Sequence, residues 1–172
     1  MNKPFKNKKI YFSNSISGDI GTTKAISIDL VKFMLTKGAN VLSEDVAFRD
    51  PKIMFPIFKK KTGVDLSKIR NKDKKAEMIR KVDLNWVDEA DYFIAVVNGA
   101  SYGVGMEIQR AIDKPRLGLY ETPILCLVHK DILKDVSPMI RGVSKKEAPN
   151  FQLKTYKDLK NVKEIVHKFL TE

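Results

Sequence analysis

The sequence predicts an α/β fold, a three-layer α/β/α sandwich around a five-stranded parallel sheet. Short apolar runs rich in β-branched and aromatic residues, typical of strands buried on both faces, alternate with longer segments of helical periodicity. The predicted strands are residues 9–13, 40–43, 92–97, 123–128 and 151–155. Strands that alternate with helices are joined by right-handed crossovers, which indicates a Rossmann/flavodoxin-like sheet with helices on both faces.

The helices are predicted from spacing and from their end signals. In the first one, Thr22 or Thr23 can cap the N-terminus and Gly38 ends the helix. Its apolar positions recur at helical spacing: Ile26, Leu30, Phe33 and Met34. Later helices are expected at 73–87, from 104, at 130–135 and at 159–170.

Residues 44–75 carry the weakest pattern, because they contain Pro51, Pro56 and a run of three lysines. We expect one short helix near 51–61 and interpret 48–75 as an insertion or a lid. The whole chain, residues 1–172, is predicted to form one domain that includes this segment.

Composition excludes several classes of protein. No apolar run approaches the roughly 18 residues that span a bilayer, so a soluble cytoplasmic protein is the default expectation. Cys126 lies inside an apolar run and is expected to be a small buried hydrophobe. With one cysteine and two histidines the chain has no zinc-ligand spacing. We therefore expect no metal and no cofactor.

The net charge of +11 does not by itself indicate a nucleic-acid binder. The lysines are spread along the chain, without a recognised module or interleaved aromatic residues. We interpret them as a solvated surface that would attract small anionic substrates, and nucleic-acid binding is the least favoured hypothesis.

The stretch 92–111 is the centre of the predicted fold. A buried strand runs through a glycine loop into a helix, which places backbone N–H groups at the carboxyl edge of the sheet, where ligands bind. Glu107 shares the inward face of Val104 and Ala111 on this helix. The alternative is that an acid in a first helical turn only complements the helix dipole.

Asp83 is a second acid on an apolar helix face, between Ile79 and Trp86. It could simply rest against a neighbouring lysine. However, Asp83 and Glu107 lie on helices that flank the same strand. Paired carboxylates in a semi-buried cleft have pKa values that are pushed apart, which is the arrangement that glycosyl transfer needs.

Six segments, in this order and spacing, carry a resemblance to a known family. The chain resembles the nucleoside 2-deoxyribosyltransferase superfamily, and most closely the 2'-deoxynucleoside 5'-monophosphate N-hydrolases. The segments are IYFSNSISG (10–18), VLSEDVA (41–47), VDLNWVDEAD (82–91), ASYGVGMEIQRA (100–111), ILCL (124–127) and SPMIRG (137–142).

The resemblance implies chemistry at the C1'–N bond of a deoxyribosyl nucleotide. Glu107 would be the nucleophile at C1', Asp83 would supply the proton to the departing base, and Tyr11 would border the sugar and orient the glutamate. A carboxylate beside C1' suits an oxocarbenium-like transition state, and a protonated base leaves more readily.

The resemblance also bears on the 5' position of the substrate. Transferases of the family carry an aspartate where this chain has Ser101, and a carboxylate there would repel a phosphate. Ser137 matches a serine that the hydrolases lend to the phosphate from the neighbouring subunit, which implies a homodimer. The alternatives are that Ser101 only shapes a loop and that Ser137 only caps a helix.

The remaining expected substrate contacts include departures from the family pattern. Ser15, Ile16 and Ser17 match the first phosphate-cradling loop, although the hydrolases usually have arginine where Ser17 stands. Gly103 belongs to the glycine segment. Asp45 stands where the hydrolases tend to have histidine, so it faces either the base or solvent. These departures concern the preferred substrate rather than the type of reaction.

We therefore expect an N-glycosidase that splits 2'-deoxynucleoside 5'-monophosphates into free base and 2-deoxyribose 5-phosphate. Base exchange between deoxynucleosides is the alternative within the same chemistry. A catalytically idle nucleotide-binding module is the alternative of a different class.

Overall fold

A computed structural model describes residues 3–15, 22–48 and 50–172. Its five strands form one parallel sheet in the order β2-β1-β3-β4-β5. This order is flavodoxin-like and confirms the expected fold class. The strands are β1 (Lys9–Asn14), β2 (Asn40–Val41), β3 (Tyr92–Val96), β4 (Ile124–His129) and β5 (Phe151–Tyr156).

Helices cover both faces of the sheet. The α-helices are α1 (Thr22–Thr36), α2 (Pro51–Thr62), α3 (Lys72–Glu89), α4 (Tyr102–Asp113), α5 (Pro138–Arg141) and α6 (Leu159–Thr171). The described residues also form 3₁₀ helices at Glu44–Ala47, Leu66–Lys68, Lys114–Leu117 and Lys130–Asp135. No helix in the described ranges is long and apolar enough to cross a membrane.

Alternation along the central strands divides the core into two layers. In β3, Phe93 and Ala95 pack in the layer that contains α3 and α4. Ile94 and Val96 pack in the other layer, with α1 and α6. Cys126 is fully buried in β4, as predicted. The sheet is therefore apolar on both faces, which explains the continuous apolar runs of its strands.

The second strand is shorter than predicted because a side chain ends it. Ser43 is buried, and its Oγ accepts a hydrogen bond from Phe12 N at 2.9 Å and donates one to Phe12 O at 2.7 Å. This hydroxyl occupies the backbone groups that a longer β2 would use, so the chain turns away after Val41.

The segment with the weakest pattern contains the expected helix. Asp50 caps α2 by accepting a hydrogen bond from Lys52 N, and Gly63 ends the helix at a φ of 74°. Phe58 of α2 packs edge-on against Trp86 of α3, with ring centroids 5.7 Å apart. The 3₁₀ helices that flank α2 were not predicted. The lid interpretation of 48–75 and the single domain of 1–172 stay predictions.

Candidate active site

A cavity of about 260 Å³ lies at the carboxyl ends of β1 and β3. It is bounded by two walls of different chemistry. The mainly polar wall comes from β1 and the N-terminal end of α4 and consists of Ser13, Asn14, Ser101, Gly103, Val104 and Glu107. The apolar wall comes from α2, α3 and two 3₁₀ helices and consists of Val46, Met54, Phe55, Phe58, Leu66 and Ile79. Asp45 and Asp83 line the cavity from the elements of the apolar wall.

Glu107 projects from α4 into this cavity. The residues around it on the helix, Val104 and Ile108, are buried against the sheet. Its Oε2 accepts a hydrogen bond of 2.5 Å from Oγ of Ser13, at the end of β1. The glutamate is thereby held by the strand beneath it, and the predicted inward orientation is present.

Tyr11 lies below the cavity rather than on its surface. The ring is fully buried and stacks on Phe93 at a centroid distance of 5.4 Å. Its hydroxyl faces Glu107, although it makes no hydrogen bond of standard geometry with another described residue. Tyr11 is placed to act on the glutamate. It is not among the residues that line the cavity, and its contact with the sugar stays a prediction.

The surroundings of Glu107 act on its pKa in opposite directions. Burial raises the pKa of the carboxyl above its usual value, and the hydroxyls of Ser13 and Tyr11, which favour the ionised form, offset only part of this rise. The pKa of Tyr11 is raised by burial and then by the nearby charge of Glu107, so this hydroxyl stays protonated.

Asp83 projects from α3, and every contribution to its pKa acts upward. Burial, then Glu107 and then Asp45 raise the pKa to about 8. At neutral pH Asp83 is therefore mainly protonated. The arrangement provides one carboxyl group that can donate a proton and a second whose ionised form is favoured by the hydroxyls of Ser13 and Tyr11.

Helices α3 and α4, which carry these two acids, are joined by an ion pair. Arg110 of α4 donates from Nε to Asp88 Oδ1 at 2.8 Å and from an Nη to Oδ2 at 2.6 Å. Such a two-point contact fixes the orientation of both side chains. It helps to hold Glu107 and Asp83 at a constant separation.

Asp45 is the third acid at the cavity. It is 5% exposed, and its Oδ1 has no hydrogen-bond partner among the described residues. Burial raises its pKa to about 6, while its own backbone and Lys61 act in the opposite direction. Within the described part of the chain, no cationic side chain lines the cavity.

The structure describes some of the residues that were expected to contact the phosphate. Ser101 is the N-cap of α4 and accepts a hydrogen bond of 3.4 Å from Val104 N, and Gly103 follows in the first turn. Ser15 is buried and donates to Ala100 O at 3.2 Å, which ties the end of β1 to the loop before α4. The expected contacts Ile16 and Ser17 lie outside the described residues.

Ser137 lies outside the cavity that contains Glu107. It caps α5 by accepting a hydrogen bond of 3.2 Å from Met139 N and is exposed. It borders a neighbouring groove of about 640 Å³, which also reaches Ser101. Within one chain the structure does not bring Ser137 to the two acids.

Ser13 and the residues of the apolar wall were not predicted as site residues. Ser13 could have been found, because it follows Tyr11 by two positions in a strand and therefore points to the same face. The contributions of Met54, Phe55 and Leu66 come from tertiary packing of a segment without clear periodicity. In the described ranges, no group of three or more His, Cys, Asp or Glu side chains could hold a metal ion.

The chain is similar in sequence to known nucleotide N-hydrolases. The chain is 31% identical over 147 residues to the 5-hydroxymethyl-dUMP N-hydrolase of Rattus norvegicus, covering 86% of this chain and 76% of that protein. It is 30% identical over 166 residues to the Danio rerio protein of the same name, covering 95% and 98%.

A solved structure, the CMP N-glycosidase of Clostridium botulinum, shares the fold with a TM-score of 0.59 and 20% identity, covering 94% of this chain and 99% of that one. No protein-family model matches the chain. The coverage and identity of the two N-hydrolases show that the chain belongs to the 2'-deoxynucleoside 5'-monophosphate N-hydrolases of the nucleoside 2-deoxyribosyltransferase superfamily and is a glycosidase that acts on nucleotides.

Proposed function

We propose that this enzyme hydrolyses the C1'–N bond of 2'-deoxynucleoside 5'-monophosphates to free base and 2-deoxyribose 5-phosphate. The observation that carries the proposal is the pair of acids in one cavity. Burial raises the pKa of both carboxyls, but at Glu107 the hydroxyls of Ser13 and Tyr11 offset part of this rise, whereas at Asp83 every further contribution adds to it. This asymmetry matches the separate roles of nucleophile and acid in glycoside hydrolysis.

In the proposed mechanism, the Glu107 carboxylate attacks C1' and forms an ester bond to the sugar. The C1'–N bond breaks, its electron pair goes to the base, and the base takes the proton of Asp83. A water molecule then attacks C1' of the ester, and the Asp83 carboxylate takes a proton from this water. Glu107 is released as a carboxylate, the sugar phosphate leaves, and both acids return to their starting states.

The polar wall suits the sugar phosphate. The N-terminus of α4 begins at Ser101, and a helix N-terminus favours an anion through its free N–H groups and its dipole. The Ser101 hydroxyl accepts from Val104 N, so its proton remains free to donate to a phosphate oxygen. Asn14 lines the same wall, and its Oδ1 has no hydrogen-bond partner among the described residues, which suits a sugar hydroxyl.

We further propose that two copies of the chain complete the phosphate site, with Ser137 donated by the second copy. The groove between Ser101 and Ser137 is bordered by exposed apolar side chains, including Tyr102 at 95% and Met139 at 82% exposure. Burial of such apolar surface against another protein is energetically favourable. Size-exclusion chromatography with light scattering should give a homodimer at micromolar concentration, and a monomer alone would contradict this arrangement.

The activity is tested by measuring the release of free base by chromatography. The substrates are the four common deoxynucleoside monophosphates and 5-hydroxymethyl-dUMP. Glu107→Gln should reduce the rate by several orders of magnitude, as expected for a nucleophile. Glu164→Gln, the same change on the exposed face of α6, is the matched control and should keep the wild-type rate. Absence of base release from all five substrates would refute the proposal.

The same assay separates hydrolysis from base exchange. When a second free base is added, a hydrolase still yields 2-deoxyribose 5-phosphate, whereas a transferase yields a new nucleotide. Tight binding of a nucleotide without any turnover would instead indicate a binding module.

A further inference from the structure

Asp45 has a carboxyl group that the described residues leave incompletely paired. It is 5% exposed, and its Oδ1 makes no hydrogen bond within the described ranges. A buried polar atom without a partner carries a substantial free-energy penalty, so such atoms are rare unless a ligand or water completes them. Because Asp45 lines the cavity with Glu107 and Asp83, a bound nucleotide is the natural partner.

Asp45 is positioned on the side of the cavity that suits the base. The apolar wall from α2, α3 and the 3₁₀ helices offers Phe55, Met54 and Ile79 to the faces and edges of a planar ring. Among the described residues that line this side, Asp45 and Asp83 are the only ones with polar side chains. The proposed mechanism uses Asp83 for proton transfer, which leaves Asp45 to contact the remaining polar groups of the base.

Asp45 is mainly ionised at neutral pH, although its surroundings raise its pKa. Burial raises the pKa to about 6 and Glu44 adds to the rise, whereas its own backbone and Lys61 oppose it. Lys61 does not pair with it directly: its Nζ donates to Val41 O at 2.6 Å and lies 3.8 Å from Glu44 Oε1. An ionised carboxylate has no proton to donate.

We propose, on the basis of the nucleotide glycosidase function above, that Asp45 selects the base by accepting a hydrogen bond from an exocyclic amino group. The favoured substrates are then nucleotides whose base carries such a donor, as cytosine and adenine do. A base that presents a keto oxygen at this point places two acceptors opposite each other and leaves both without a proton. Uracil is the matched example.

A comparison of dCMP with dUMP tests this selection, because cytosine carries an amino group at the ring position where uracil carries a keto oxygen. The wild-type enzyme should show a kcat/KM for dCMP roughly ten- to a hundredfold above that for dUMP, the range expected for a hydrogen bond to a charged group. In Asp45→Asn the ratio should fall to within about threefold, because a carboxamide can donate as well as accept.

Two further variants control for side effects. Glu44→Gln makes the same chemical change one residue away, outside the lining of the cavity, and should keep the wild-type ratio. Asp45→Ser removes the carboxylate with a smaller side chain and should also lose the preference. It serves as the second measurement if Asp45→Asn fails to fold, as judged by its thermal unfolding.

Binding measurements separate this proposal from the activity itself. Calorimetric titration of Glu107→Gln with dCMP and dUMP, with and without Asp45→Asn, reports base selection without turnover. Tighter binding of dCMP than of dUMP that is lost in Asp45→Asn supports base selection by Asp45, even if no base is released. Base release without a dCMP preference, or a preference that survives in Asp45→Asn, overturns the selection and leaves the glycosidase intact. Failure to bind either nucleotide overturns both.

Discussion

Replacing Asp83 by asparagine should stabilise the fold at alkaline pH and have little effect at acidic pH. The folded-state pKa of this carboxyl is about 8, against 3.8 for an ordinary aspartate. Between these values the folded protein holds a proton that the unfolded chain has lost, so the stability of the wild-type protein falls as pH rises through this window. Asparagine has no proton to lose, and the variant escapes this part of the decline.

The difference between the two pKa values sets the size of the effect. At about 1.4 kcal/mol per pH unit, a rise from 3.8 to about 8 corresponds to an upper bound of about 6 kcal/mol. Asp83 borders a cavity that admits water, and the charge is partly screened, so we expect about half of this bound, or about 3 kcal/mol. For a chain of this size, 3 kcal/mol raises Tm by about 6 to 12 °C.

Thermal unfolding of both proteins between pH 5 and pH 9 measures this difference. The gap in Tm should be small at the acidic end and should widen steadily up to about pH 8. Asp73→Asn, on an exposed part of the first turn of α3, is the control and should not reproduce the widening. A gap in Tm that is constant across the range would show that Asp83 has an ordinary pKa, which would remove it as a proton donor at neutral pH.

Three other results are expected. In steady-state kinetics, kcat/KM should fall about tenfold per pH unit above about pH 8, as Asp83 loses the proton that the base requires, and a flat profile there would argue against it as the acid. Ser13→Ala removes the donor of the 2.5 Å hydrogen bond to Glu107 and should raise the pKa of that carboxyl, so the acidic limb of the same profile should move to higher pH. An unmoved limb would mean that Ser13 does not tune the nucleophile. Phe58→Ala removes a ring that is 2% exposed and packs on Trp86, so it should lower the free energy of unfolding, measured with urea, by about 3 to 5 kcal/mol. A loss below about 1 kcal/mol would indicate that α2 is loosely packed.

The sequence was most informative where periodicity reflects burial. The central strands are buried on both faces, so their apolar runs were visible, and the helical spacing placed Glu107 and Asp83 on inward faces. Ser43 shows where this reasoning stops. Its hydroxyl replaces a strand hydrogen bond, and no local pattern distinguishes such a serine from one that simply ends a strand.

The candidate site was only partly predictable for the same reason. Residues that lie on regular elements, such as Glu107 on α4, follow from spacing along the chain. The contribution of Phe55 depends on how α2 packs over the sheet, which is a long-range property. The Asp45 oxygen that has no hydrogen-bond partner among the described residues likewise becomes visible only when its neighbours in space are known.

The ion pair between Arg110 and Asp88 has a consequence for how such an enzyme can change its substrate. It joins α3 to α4, and these two helices carry the two acids that we propose cleave the bond. The side chains that would touch the base come mainly from α2 and its flanking 3₁₀ helices, which lie elsewhere in the chain. In the proposed mechanism, bond cleavage and substrate choice therefore depend on separate segments. A descendant of this chain could acquire a new preferred nucleotide through a few replacements between residues 45 and 66, while the spacing of its two acids stayed the same.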